Sequence, residues 1–223
     1  MSNKSLTSIE VELAPVLGEL GLFSFGWFVM PDAPFTGRKA MLIGNRADNG
    51  RHLMWDVFTK SPEYLDGRPD PLNRWTQRML GVIATRYKVD AIYPFGETIW
   101  PFQRYAKSAT GMQSSPLGML IHPEFGLWQA FRAVLIFGKG YALDLPHKLN
   151  HPCDACAEKP CLSACPVDAF SDEGFAVQAC RTHLVTNEAP NCMTLGCRVR
   201  AACPVGLAYS KEQIEFHMNA FSH

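Results

Sequence analysis

All eight cysteines of this chain fall between Cys153 and Cys203, and residues 1–152 contain none. A disulfide scaffold staples a whole domain, so its thiols are spread along the sequence; here they are confined to one end. The 223 residues are enough for one well-cored domain and a smaller appendage. The expected division is therefore a cysteine-free domain over 1–150 and a cysteine-rich one over 151–223, joined near "DLPHKLNHP" (144–152). The longest apolar run, "FRAVLIFGKGYAL" (131–143), is broken by Gly138, Lys139 and Gly140, too soon to cross a bilayer. The polar N-terminus "MSNKSLTSIEVELAP" has neither a signal pattern nor twin arginines. A cytoplasmic location without membrane attachment is the expectation, and thiols kept reduced there point to metal ligation. Lys+Arg and Asp+Glu balance at 21 each, so there is no basic excess for a nucleic-acid partner.

The spacing narrows the metal. The first run is Cys153-x2-Cys156-x4-Cys161-x3-Cys165-Pro166, and the second is Cys180-x11-Cys192-x4-Cys197-x5-Cys203-Pro204. Sets of four thiolates suit zinc or iron–sulfur clusters. The two Cys-Pro endings resemble bacterial dicluster ferredoxins, in which the cysteine before proline serves the other cluster. That resemblance implies Cys153, Cys156, Cys161 and Cys203 on one [4Fe–4S] cluster, and Cys165, Cys180, Cys192 and Cys197 on another. The x4 and x5 gaps depart from the commoner spacing, which leaves the ligand pairing open. Two structural zincs, or one cluster with spare thiols, are the competing readings.

Elsewhere the pattern is mixed α and β. Thr7 and Glu10 have capping-box spacing for a helix to about Leu20. Strands are expected at 22–30, 38–45 and 89–95, with helices over 70–88 and about 100–109. Leu72, Trp75, Met79, Val82 and Ile83 form the apolar stripe of the first of these helices. "LGMLIHP" and "LWQAFRAVLIF", separated by "PEFG", suit a pair of antiparallel strands.

The segment "LIHPEFGLWQAFRAVLIFGKG" (120–140) resembles cobalamin-processing proteins of the CblC type, through His-Pro-x-Phe-Gly-x-Trp and the apolar strand after it. The cysteine module and "YPFGETIWPFQRYAKSATGM" (93–112) resemble epoxyqueuosine reductase, with Pro94, Phe95, Glu97, Thr98, Arg104 and Gly111 at matching places. "CRTHLV" (180–185) matches the start of that family's second cysteine motif. These resemblances imply an α+β fold: a nitroreductase-like, CblC-type cobalamin-binding domain with a C-terminal ferredoxin-like module of two [4Fe–4S] clusters. The chain lacks Asp-x-His-x-x-Gly, so by resemblance cobalamin binds base-off. Losing an axial donor makes cobalt easier to reduce.

By the same resemblance His122, Pro123, Phe125, Gly126, Trp128, Phe95 and Thr98 are candidate cobalamin contacts. Gly126 would let the backbone approach the corrin, and Glu97 is a candidate general acid in the place of an aspartate. The bland alternatives are a packed His122, and a Glu97 that is exposed or paired with Arg104. Arg104 and Arg132 read as structural, and His52, His147, His151, His183, His217 and His223 receive no role.

The expected function is a cobalamin-binding iron–sulfur oxidoreductase. An external donor (ferredoxin, flavodoxin or a reductase) feeds electrons through two clusters to cobalamin, which then reduces a small-molecule substrate or loses its own upper ligand. The alternatives are a plain ferredoxin-like electron carrier and a flavin-dependent reductase. Epoxyqueuosine reductase continues into a tRNA-contacting domain that this chain does not show. Respiratory reductive dehalogenases usually carry a twin-arginine leader; a cytosolic relative of them stays open.

Overall fold

The computed structural model describes residues 5–47, 53–143, 149–171, 174–186 and 192–222. Residues 144–148 of the expected joint, together with His52, His147 and His223, lie outside that set. The chain forms two compact units. One comprises Met1–Arg46, His52–Met112 and Gln129–Leu149; the other comprises Ala47–Arg51, Gln113–Trp128 and Asn150–His223. The cysteine-bearing unit thus includes a segment, 113–128, that the sequence places with the first domain.

The first unit is built on a four-stranded antiparallel sheet, ordered β1-β2-β6-β3, from β1 (Phe23–Val29), β2 (Lys39–Arg46), β3 (Asp90–Ile92) and β6 (Gln129–Ile136). Both faces are covered. Trp27 and Phe28 are consecutive in β1 and so point to opposite faces. Trp27 Nε1 donates to Glu10 of helix α1 (Leu6–Glu19) at 3.0 Å, while the Phe28 ring stacks on Tyr105 of α5 (Phe102–Thr110) at 5.2 Å. Strands covered on two sides carry continuous apolar runs rather than alternation. Hence every residue of Ala40–Asn45 and Arg132–Ile136 is buried.

That continuity explains one miss. The expected pairing of the strands on either side of "PEFG" does not form. The downstream one is β6, between β2 and β3, whereas Leu120–Ile121 (β5) pairs with Gln113–Ser114 (β4) in the other unit. A bridge from His122 to Gly126 closes the turn between them. Two smaller expectations also shift. The cap of α1 is Ser5, whose oxygen accepts from Ser8 N at 3.1 Å; Glu10 is used by Trp27 instead. In α4 (Pro71–Tyr87) the buried stripe runs through Leu72, Trp75, Leu80 and Ile83, and Val82 is 65% exposed. Helices α2 (Leu53–Phe58) and α3 (Pro62–Leu65) are additions to the expected elements; Ser61 caps α3, and Trp55 and Phe58 are buried. Among the described residues no helix is long and apolar enough to cross a membrane.

The second unit is made of short pieces: the β4–β5 hairpin, 3-10 turns at Pro152–Asp154 and Pro160–Ser163, the β7–β8 hairpin (Phe170–Ser171, Gly174–Phe175), and helices α6 (Val177–Val185), α7 (Cys192–Leu195), α8 (Arg198–Ala201) and α9 (Lys211–Ser222). Helix α9 packs against α6 and α7.

Candidate metal centres and the turn that supports them

The thiols form two neighbourhoods. Burial pushes the Cys153 thiol up, and so do the charges of Cys203, Cys161 and Cys156. Cys161 is raised by burial and then by Cys203 and Cys156. Cys203 therefore lies with the first run, about forty residues upstream of it by sequence. Cys180 is raised by burial, then by Cys197, Cys165 and Cys192, and these same four line one pocket with Phe170, Val199 and Met218. Burial raises Cys197 as well, against the backbone amides of Arg200 and Val199. Thiols with raised pKa are poor ligands until a metal displaces the proton. Among the described residues, no three or more His, Cys, Asp or Glu side chains converge on a position for a single ion.

Segment 113–128 is the floor of this unit. Leu117, Ile121 and Leu127 are buried with Val199, and Cys153, Cys161, Cys165, Cys197 and Cys203 pack against that cluster. His151 ties the first cysteine run to the same floor: its Nε2 meets Ser114 O at 2.9 Å, and its Nδ1 accepts from Cys153 N at 3.1 Å.

The His-Pro-x-Phe-Gly residues form a tight turn within it. His122 and Gly126 exchange backbone hydrogen bonds at 2.9 and 3.0 Å. His122 Nδ1 accepts from the amides of Glu124 (3.1 Å) and Phe125 (3.2 Å), and its ring stacks on Phe125 at 4.0 Å. Pro123 is exposed; Phe125 and Gly126 are buried. Gly126 has φ +60, and a Cβ there would sit 1.8 Å from Val205 O. Gly206, at φ +83, would meet Phe125 O at 2.3 Å. The two glycines let this turn lie backbone to backbone on the loop after Cys203-Pro204. The close approach that Gly126 serves here is to Val205.

Trp128, 4% exposed, is gripped from one end of the same segment. The Arg200 guanidinium lies 4.2 Å from its ring centre and 5.4 Å from that of Tyr209, and Arg200 Nε donates to Leu127 O at 3.0 Å. Burial pulls the Arg200 pKa down, and Tyr209 and Cys197 oppose it. The sequence assigns Arg200 no role; its only signal is the Cys197-x2-Arg200 spacing in a cysteine module. Substituting Arg200→Met is expected to cost about 2–4 kcal/mol, from lost charge-assisted hydrogen bonds and cation–π contact. Arg200→Lys should recover less than half, since an ammonium cannot present the planar fork. Urea unfolding followed by tryptophan fluorescence checks both; a Lys variant as stable as the parent sinks the assignment.

The remaining candidates belong to the first unit. Phe95 is half-buried and stacks on Tyr93 at 5.3 Å, with Arg132 5.9 Å from its ring centre. Glu97 and Thr98 are exposed in the same loop. Arg104 does not pair with Glu97: it forms an ion pair with Asp32, which also accepts from Tyr105 Oη, and these contacts hold the Asp32 carboxyl below its usual range. Arg132 is buried against α4, donating to Thr76 Oγ1 and Leu72 O.

No family model and no curated protein matches the sequence. Among solved structures, the B12-trafficking protein CblC of C. elegans, a homologue of human MMACHC, superposes with a TM-score of 0.56 at 15% identity, covering 95% of this chain and 91% of that one. The fold is CblC-like. Epoxyqueuosine reductase of Bacillus subtilis aligns at a TM-score of 0.48 and 17% identity over 96% of this chain. A complex of epoxyqueuosine reductase with a modified tRNA-Tyr stem loop aligns at 0.46 and 16% over 98%. The chain spans 61% and 62% of those two structures, a likeness too loose to argue from.

Proposed function

We propose that this chain is a soluble, cytoplasmic cobalamin-binding iron–sulfur redox protein, with the cysteine-bearing unit as its electron relay. The observation that carries the reading is the division of eight thiols into two neighbourhoods of four, five of them packed on one hydrophobic floor. Four soft ligands each, with no carboxylate among them, fit a [4Fe–4S] cluster.

Bound there, two clusters supply single-electron transfer, and a base-off cobalamin on the CblC-like fold supplies the acceptor. The chain's own part is holding and shielding. Cys153, Cys156, Cys161 and Cys203 hold one cluster, and Cys165, Cys180, Cys192 and Cys197 the other. Leu117, Ile121, Leu127 and Val199 keep water from them, since a dry surround sets the potential of such a centre. Support for cobalamin is the fold alone, because the contacts of His122, Phe125 and Trp128 are satisfied inside their own unit. Phe95, Thr98 and exposed Pro123 stay candidate contacts, and exposed Glu97 a candidate proton donor. The division at residue 150, an external reductant, and a small-molecule substrate or cobalamin itself as the partner are further parts of the proposal.

The deciding experiment is EPR of anaerobically reconstituted protein mixed with cob(II)alamin. The expected result is two reducible [4Fe–4S] signals and a cobalt signal without the nitrogen splitting of the free cofactor. Cluster signals with an unchanged free-cofactor spectrum would overturn cobalamin binding and leave an electron carrier. Flavin absorbance in the isolated protein would favour the flavin-dependent reductase.

A further inference from the structure

One buried polar atom has no use in the relay as described. His183 Nε2 is shielded from solvent and has no hydrogen-bond partner. Its residue lines the same pocket as Cys165, Cys180, Cys192 and Cys197. The placement follows from helix geometry: Cys180 and His183 are three residues apart in α6, on one face. Phe170, Val199 and Met218, which share the pocket, offer the ring no strong acceptor. A buried ring nitrogen left unpaired is costly, and native proteins rarely keep one without a ligand to satisfy it.

We infer that His183 donates a hydrogen bond from Nε2 to a sulfur of the cluster held by Cys165, Cys180, Cys192 and Cys197. This rests on the cluster reading given above. Cluster sulfurs and cysteine thiolates are acceptors that the metal-free pocket lacks. A donor aimed at them stabilises the more negative, reduced state and so raises the reduction potential. Among the described residues the ring beside the first neighbourhood, His151, is already committed to Ser114 O and Cys153 N. His183 therefore separates the potentials of two otherwise similar clusters and makes its own the better electron acceptor.

The test is an EPR-monitored redox titration of the full chain after anaerobic reconstitution, with iron counted in each sample. In His183→Leu, one of the two potentials is expected to fall by about 59 mV, a tenfold loss in its reduction equilibrium, while the other stays put. His183→Gln, which keeps an N–H donor, should recover most of the shift. Unchanged potentials in a fully loaded His183→Leu protein overturn the inference and leave the cluster reading standing. Should that variant load poorly, pulsed EPR of the reduced parent labelled with [15N]histidine takes its place. Imidazole coupling that His183→Gln removes supports the inference, and coupling unaffected by that substitution overturns it. A parent chain that binds no clusters overturns the reading itself, and the inference with it.

Discussion

Gly126→Ala is expected to lower the stability of the cysteine-bearing unit by about 4–6 kcal/mol, summing left-handed backbone strain of about 1–3 and overpacking of about 3, the top of its 1–3 range. The overpacking part should sit at the top of its range, because the added methyl meets backbone. A Cβ on Gly126 would stand 1.8 Å from Val205 O and 2.6 Å from the Val205 carbonyl carbon. A flexible side chain could swing aside; a peptide group moves only with its loop. That loop begins at Cys203-Pro204, so under the proposed ligation the iron at Cys203 should be released first. Gly118 provides the internal control. It too has positive φ, at +75, but a Cβ there would have nothing within 4 Å, so Gly118→Ala should carry only the conformational cost of about 1–3 kcal/mol. Urea unfolding of the two variants, with iron content measured alongside, separates the two contributions. Equal losses in both would show that the contact with Val205 does not matter.

The same turn shows how far a sequence can be read. His122, Phe125, Gly126 and Trp128 stand out as a motif, and all four are placed with purpose. That purpose is not legible locally, because it depends on Val205, Gly206, Arg200 and Tyr209, some eighty residues further along by sequence. Local pattern carries information about local partners. It identifies α4 and the strands of the sheet, whose signals are periodic and contained within one element. It fails at "PEFG", where two apolar runs look like a hairpin but diverge into different units. A continuous apolar run marks a strand covered on both faces and says nothing of its neighbours. His183 is silent for a related reason: one histidine three residues from a cysteine has meaning only once the other three thiols are seen around the same pocket.

Cysteine replacements test the crossed arrangement most sharply. Cys203→Ala is expected to remove about four of eight irons, or convert one cluster, and Cys165→Ala should do the same to the other. Single variants cannot distinguish crossed from linear ligation, since each predicts the loss of one cluster. Pairs can. Ligands of one cluster act as a unit, so their losses do not add, whereas losses at separate clusters do. With Cys203 among Cys153, Cys156 and Cys161, Cys153→Ala combined with Cys203→Ala should lose no more iron than either change alone. Cys197→Ala combined with Cys203→Ala should lose both clusters. Linear ligation reverses the two results, because Cys197 and Cys203 would then share a cluster and Cys153 would not. The thiol neighbourhoods favour the crossed outcome: Cys203 raises Cys153 and Cys161, and Cys165 raises Cys180. The chain would then interlock its two halves through the clusters themselves, each cysteine run lending its last thiol, the one before proline, to the other.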